Sequence, residues 1–143
     1  MSTILVIEDN LESRELLCFL LQSHGFLVIS ADDGIAGLRL VKEKLPDLII
    51  SDLHMPCMSG FEVLRRLKQN PILTDIPFVF CTSSNNQDYH ALAEELGADA
   101  FITKPYDPSI MIKAVHTSIA KGDNQKVRKT TFEVFRQSSG SCV

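Results

Sequence analysis

A chain of 143 residues, 45% hydrophobic and 22% charged, has the size and composition of one globular domain. No apolar run approaches the roughly 20 residues of a membrane helix, and Met1-Ser2-Thr3 lacks the basic flank of a signal peptide, so a cytoplasmic protein with no membrane partner is expected. The net charge of −4 argues against direct nucleic-acid binding, and Cys18, Cys57, Cys81 and Cys142, without CxxC spacing, are expected as reduced thiols.

The first apolar run, Ile4-Leu5-Val6-Ile7, is continuous rather than alternating, as in a strand covered on both faces. It ends in Glu8-Asp9, with Asn10 placed to cap a helix marked by Leu17, Leu20, Leu21 and His24. A second strand over 26–29 leads to Asp33, a plausible cap, and to a second helix with Ile35, Leu38, Val41 and Leu45 as its stripe. The third strand, 48–50, runs through Ser51 to Asp52, and the Pro- and Gly-containing segment from Leu53 to Gly60 cannot continue it. Ser59-Gly60-Phe61-Glu62 reads as a capping box for a third helix through Leu64 and Leu67. A fourth strand over 78–80 precedes Thr82 and a helix through Leu92 and Leu96, which stops at Gly97 in a left-handed C′ position. The fifth strand, 99–102, leads through Thr103 into Lys104-Pro105. Asp107 then caps a helix with Pro108 first and Met111, Val115 and Ile119 on its inner face.

From Gly122 the periodicity fades. Residues 1–121 form the domain, and residues 122–143 are expected to be a tail whose end is disordered. Within the tail Lys126, Arg128 and Lys129 precede Thr130-Thr131-Phe132-Glu133-Val134-Phe135, strand-like in composition. Such a cluster is unusual in a disordered end, so 125–136 is a candidate arm that docks on the acidic body or on a second copy.

Five strand–helix units with right-handed crossovers predict an α/β fold, (βα)5, with a doubly wound parallel five-stranded sheet. In such sheets ligands bind at the carboxyl ends of the strands, where Glu8, Asp9, Asp52 and Lys104 all fall. Carboxylates about 5 Å apart repel by roughly 3 kcal/mol per pair at an effective dielectric near 20. A cation among them is therefore expected, with Lys104 beside an acidic metal pocket. Each residue alone has an ordinary reading: Glu8-Asp9 a polar strand end, Asp52 a turn residue, Thr82 a loop hydroxyl, Lys104 a surface charge. Their joint placement argues otherwise. His54 is expected to turn its ring to solvent, and His24, His54, His90 and His116 lack the spacing of a zinc site.

Taken in order, Glu8-Asp9, Asp52, Met55-Pro56 with Gly60, Thr82 and Lys104-Pro105 resemble the motifs of a response-regulator receiver domain, the phosphoryl-accepting switch of two-component signalling. The resemblance covers residues 2 to 121 and implies a flavodoxin-like strand order 2-1-3-4-5. It implies that Asp52 accepts a phosphoryl group from a histidine kinase or phosphotransfer protein with Mg²⁺ bound. Asp9 and Asp52 would hold the metal directly, Glu8 through water, and His54 through its backbone carbonyl. Lys104 and Thr82 would contact the phosphoryl oxygens, Thr82 and Phe101 would form the switch pair, and Pro105 would be cis. The resemblance implies no enzyme beyond promotion of its own phosphorylation and dephosphorylation, the lifetime being tuned at His54 and Ser84. Residues 122–143 are too few for a fused output domain, so a stand-alone regulator is expected. Its target would bind the face of the fourth helix, fifth strand and fifth helix, with homodimerisation a further candidate. Ser83 departs from the alanine common after the threonine.

A pseudo-receiver scaffold independent of phosphorylation is the alternative, and the full set of site residues argues against it. A haloacid-dehalogenase-type phosphatase would want an acid at position 54, where this chain has His54. A flavodoxin would want a Ser/Thr/Gly-rich phosphate loop where this chain has Glu8-Asp9.

Overall fold

The computed structural model describes residues 1–138, with side chains as far as Asn124. Strands β1 (Thr3–Ile7), β2 (Leu27–Ala31), β3 (Leu48–Ser51), β4 (Phe78–Thr82) and β5 (Ala100–Thr103) alternate with helices α1 (Leu11–Ser23), α2 (Gly34–Lys44), α3 (Gly60–Lys68), α4 (Gln87–Glu95) and α5 (Pro108–Ser138). All strand pairs are parallel. The order is β2-β1-β3-β4-β5, as expected for the doubly wound sheet.

Alternate side chains of the central strands serve two cores. Leu5, Ile7, Ile49, Phe78 and Phe80 pack with Leu38 and Val41 of α2 and Val63, Leu64 and Leu67 of α3. Ile4, Val6, Leu48, Ile50, Val79 and Cys81 pack with Leu17 and Leu21 of α1 and Met111 and Val115 of α5. Burial on both faces is why β1, β3 and β4 read as unbroken apolar runs. Edge strand β2 is only partly buried and Leu27 is exposed, so it is less fully covered than its run of apolar residues implied.

The caps follow local chemistry. Asn10, Asp33 and Ser59 each accept a backbone N–H from the residue three further on, at 2.9, 2.7 and 3.2 Å. Gly97 is left-handed at φ +97°, and Ala98 N donates to Ala93 O across it, closing α4. His24 caps α1 rather than joining its apolar stripe.

Several local expectations need correction. Ile35 and Leu45 are exposed; α2 instead turns Gly34, Gly37, Leu38 and Val41 inward. A Cβ on Gly37 would lie 2.5 Å from Ile7 Cδ1, so the helix can sit this close only without a side chain there. The reciprocal half of the α3 capping box is not made, because the Glu62 carboxylate turns to Arg65 (2.7 Å) and Arg66 (3.1 Å). The largest difference is α5, which continues through Gly122 to Ser138 instead of giving way to a strand-like tail. No proline interrupts the stretch after Pro108, and its Lys, Arg, Gln and Glu residues favour helix enough to outweigh the β-branched ones. Gly122 has a packing role: a Cβ there would lie 3.1 Å from the Pro77 ring. The expected docking by side chains of 125–136, the expectation of a disordered end to the tail, and Cys142 lie outside the described residues.

Among the described residues no helix is long and apolar enough to cross a membrane. The inward face of α2 can be tested by urea unfolding. Val41→Ala should lower stability by about 2 kcal/mol. Ile35→Ala, on the exposed face, should stay within about 0.5 kcal/mol of the parent.

Candidate functional site

Sheet register brings the site together. Ile7 pairs with Ser51, Ser51 with Phe80, and Thr82 with Thr103, so the residues following β1, β3 and β5 emerge at the same end of the sheet. Asp52 N donates to Ile7 O at 2.9 Å and Lys104 N to Thr82 O at 2.8 Å, extending the ladder by one residue on each side. Gly60 lets the β3–α3 loop fold back over this end. Its N–H donates to Leu53 O at 2.9 Å, and a Cβ on it would lie 2.3 Å from the Asp52 carbonyl oxygen.

Lys104 is the organising cation. Its Nζ donates to Glu8 Oε1 and, at 3.2 Å, to Asp52 Oδ2. The three side chains are largely enclosed, with 5%, 13% and 21% exposure for Glu8, Asp52 and Lys104. The other oxygen of Asp52 accepts the Leu53 N–H at 2.6 Å, so the carboxylate is held at both ends. Asp9 is exposed at the rim, and one oxygen from each of Glu8, Asp9 and Asp52 lies within 4.8 Å of the others. The sequence expectation of a cation among the carboxylates is therefore met first by a protein group. The Lys104–Pro105 peptide that delivers it is cis.

The protonation states follow from this crowding. Burial, reinforced by the Asp52 carboxylate, pushes Glu8 up to about 7. Burial also works against the charged form of Asp52. Its hydrogen bond with Glu8, the Lys104 charge and the Leu53 amide together outweigh that, and hold it below the usual range. Burial works against the Lys104 charge too, but the two carboxylates raise its pKa on balance. Asp52 is the ionised partner, with Glu8 the group that keeps a proton when no other cation is near. With both ionised, Glu8 Oε2 is buried without a donor.

That orphaned oxygen is the test of a metal. Three carboxylates converging, one atom unsatisfied and no sulfur or imidazole among them make an all-oxygen donor set that fits Mg²⁺. Burial pushes the Cys81 thiol up to about 12, which leaves it neutral below the site.

The remaining predicted residues are placed as follows. Thr82 is buried; its hydroxyl accepts the Ser84 N–H at 3.3 Å, and no hydrogen bond joins it to Asp52 among the described residues. Ser83 lies beside Asp52 and Lys104 on the wall of the site crevice. The ring of His54 is exposed as expected, but it packs edge-on against Tyr89 of α4. Phe101 is partly buried, its ring 6.0 Å from that of Phe80 and 5.0 Å from that of His90.

Two features escaped the sequence reading. Arg14 Nη1 donates to the Glu8 carbonyl at 2.8 Å, fixing the peptide that joins two of the three acids. A crevice of about 500 Å³ also opens beside Asp52 and Lys104, walled by Leu16, Leu17 and Leu20 of α1 and by Pro105 and Tyr106. The signal was present: α1 carries Leu11, Leu16 and Phe19 outside its buried stripe, and all three are exposed.

Comparison with known proteins agrees with this geometry. The family described as the response regulator receiver domain matches residues 4–116. The phosphate regulon transcriptional regulatory protein PhoB of Escherichia coli (strain K12) is 35% identical, over 78% of this chain and 49% of that protein. The chain thus spans about half the length of the curated relatives it matches first. Protein PilH of Pseudomonas aeruginosa is 28% identical, over 84% of this chain and 99% of PilH. A response regulator receiver domain protein from Clostridium thermocellum superposes with a TM-score of 0.80 at 29% identity, covering 89% of this chain and 98% of that one.

The raised Glu8 pKa sets a pH dependence. The unfolded chain loses this proton near 4.5 and the folded chain near 7, so folding holds an extra proton between them. Stability from this group is fully present below 4.5 and is lost as pH rises through about 7. The lowered Asp52 acts only below its ordinary value of 3.8, outside that window. Unfolding free energies in metal-free buffer should therefore fall between pH 4.5 and pH 7, and Glu8→Gln should flatten the slope.

Proposed function

The chain belongs to the response regulator receiver family, and from that premise we propose that Asp52 accepts a phosphoryl group from a phosphohistidine protein and so switches the partners of the chain. A receiver domain has a phosphoryl-accepting role in two-component signalling and works with histidine kinases or phosphotransfer proteins. The finer reading rests on one observation: Lys104 joins Glu8 to Asp52 within a cluster of three acids.

In that reading an Asp52 carboxylate oxygen attacks phosphorus in line. The bond from phosphorus to the donor nitrogen breaks, its electron pair stays on the donor imidazole, and an acyl phosphate forms on Asp52. The lowered pKa keeps Asp52 anionic at neutral pH, and the Leu53 amide and Lys104 fix its direction. Lys104 stays beside the developing charge, enclosed enough for its field to count. Asp9 and Asp52 would hold Mg²⁺ directly, Glu8 through water, and His54 through its carbonyl. Bound there, Mg²⁺ neutralises charge shared between carboxylate and phosphoryl oxygens. Thr82 would turn its hydroxyl from Ser84 to the phosphoryl group, with Phe101 responding one strand away.

The donor would rest along the apolar crevice between α1 and Pro105-Tyr106, which opens on Asp52. The target would read the face of α4, β5 and α5, where Phe101 lies against His90. A second copy of the chain is a further candidate partner. We place the protein in the cytoplasm, with no activity on other substrates. A scaffold without the chemistry would have no use for a buried, unpartnered oxygen on Glu8.

Incubation with Mg²⁺ and a small acyl phosphate should add about 80 Da, labile to hydroxylamine, as a carboxyl phosphate requires. Asp52→Asn, nearly isosteric, should take up none while melting as a folded protein. Stoichiometric labelling of that variant would exclude Asp52 as the acceptor.

Mg²⁺ at about a hundred times its dissociation constant should stabilise the parent by about 2.7 kcal/mol. Asp9→Ala should lose most of that gain and yet be slightly more stable than the parent without metal, because one like charge is gone. Thermal melts with and without Mg²⁺ read both signs.

A further inference from the structure

The crevice beside Asp52 has the make-up of a small-ligand site. Its space of about 500 Å³ lies within the range such sites occupy. One stripe of α1 lines it from end to end: Ser13, Leu16, Leu17, Leu20 and Ser23 recur at helical spacing, with leucines between the two serines. Val6 and Ile50, both buried in the sheet, line its inner side, and Pro105 and Tyr106 complete the wall. Leu16 is 65% exposed, apolar area that nothing among the described residues covers.

The charged groups of the lining are Glu8, Asp52 and Lys104, and they are joined to one another. A ligand of the crevice therefore has one place for a charged end and apolar walls for the remainder. That one place is where a phosphoryl group belongs, with Lys104 to meet its oxygens and Asp52 to attack it. Away from the ion cluster the walls hold no ready proton donor. Besides serine hydroxyls they carry the Cys81 thiol and the Tyr106 hydroxyl, both pushed up to about 12 by burial. A leaving group that needs no proton suits such walls, and a carboxylate, stable as the anion at neutral pH, is one.

We propose that the crevice is an acyl-group subsite for a small phosphodonor, an acyl phosphate whose acyl part is an aryl or branched apolar group. This rests on Asp52 being the phosphoacceptor. An Asp52 carboxylate oxygen attacks phosphorus, the bond from phosphorus to the acyl oxygen breaks, and its electron pair leaves on the apolar carboxylate. The phosphoryl group ends on Asp52, no proton moves and no further reactant enters. The single methyl of acetyl phosphate scarcely leaves the charged end and gains little from the leucines. A phenyl ring or branched chain reaches Leu16 and Leu20, and its burial there favours the bound donor. Such a donor uses the crevice when no protein covers it.

The test compares benzoyl phosphate with acetyl phosphate on the full chain with Mg²⁺, reading the phosphoryl adduct by intact mass. In the parent the second-order rate constant for benzoyl phosphate should be about tenfold the larger, the scale of discrimination by an apolar pocket. Any difference in intrinsic reactivity between the donors cancels when their ratio is compared between proteins. Leu16→Gln and Leu20→Gln should each lower the ratio by about fourfold, the equivalent of one buried methylene. Leu11→Gln, at an exposed position of α1 off the crevice, should keep the parent ratio. A variant that folds incompletely loses both rates together, so its ratio still reports on the subsite.

Benzoylphosphonate, whose phosphorus is held to the acyl carbon and is not transferred, gives a readout without phosphorylation. With Mg²⁺ present it should shift the Leu16 and Leu20 methyl signals in NMR spectra and slow labelling by benzoyl phosphate. A donor ratio that is the same in the parent, Leu16→Gln and Leu20→Gln overturns the subsite and leaves Asp52 as the acceptor. So does a parent ratio at or below one, or a phosphonate that leaves both methyl signals in place. A parent protein that takes a phosphoryl group from neither donor overturns the reading of Asp52, and this inference with it.

Discussion

The ion pair of Lys104 with Glu8 and Asp52 is the constraint on which the rest of the site depends. Three acids gathered at the ends of two adjacent strands repel by several kcal/mol, and β1 and β3 cannot move apart without breaking the sheet. Lys104 arrives from β5, two strands away from β3, and its reach across the site supplies one counter-charge. One ammonium does not balance three carboxylates. Burial first, and then that imbalance, raise the pKa of Glu8, and one of its oxygens is left unpartnered. The fold therefore holds a pocket whose charge is left incomplete, the kind of acidic pocket at which receiver domains bind Mg²⁺. Arg14 adds to the same balance from α1, by clamping the carbonyl between Glu8 and Asp9.

Backbone proximity makes the pair possible. The loop after β3 must fold directly over Asp52, and a side chain at Gly60 would collide with the Asp52 carbonyl and with Phe80. Gly37 permits the matching approach of α2 to the sheet through Ile7. Both glycines have space requirements rather than unusual dihedral angles, which separates them from Gly25 and Gly97 at positive φ. Cys57, at φ +69°, is a non-glycine residue in the left-handed region, in the same loop that carries His54. The loop that follows Asp52 and carries His54 thus bears backbone strain that the surrounding packing has to hold.

The parts legible from sequence were those set by local chemistry or by strong patterning. Buried strands announced themselves as continuous apolar runs because both faces are covered, and Asn10, Asp33 and Gly97 announced helix ends because few residues can do those jobs. Glu8, Asp52 and Lys104 could be gathered on paper because parallel strands put their carboxyl ends on one side. What could not be read was set by tertiary contact. The inward face of α2 runs through two glycines, which carry no hydrophobic signal, so Ile35 and Leu45 were mistaken for core. Glu62 had a choice between Ser59 and two arginines, and sequence alone does not rank such choices. The extent of α5 was misjudged because β-branched residues and phenylalanines weigh toward strand only when a sheet edge is there to receive them. The crevice beside α1 was hidden for the opposite reason: a helix with leucine on most of its faces looks simply buried.

The way α4 is held bears on how a change at Asp52 reaches the far face. Two consecutive residues of this helix, Tyr89 and His90, grip different parts of the domain. Tyr89 meets His54 and Phe61, whereas His90 meets Phe101 on β5. Phe80 lies between, with its ring in contact with both Phe61 and Phe101. The rings form a closed circuit from α4 through α3, β4 and β5 and back to α4. In a close-packed cluster of this kind a side chain cannot shift by a fraction of its width; it moves to another packing or stays. A displacement of the β3–α3 loop at His54 therefore acts on α4 at Tyr89 directly, and a displacement of Phe101 acts on it at His90. The helix is the element on which both inputs converge. Its few buried side chains, with Ala93 alone fully enclosed, make it the helix of the five with least to hold it in one place.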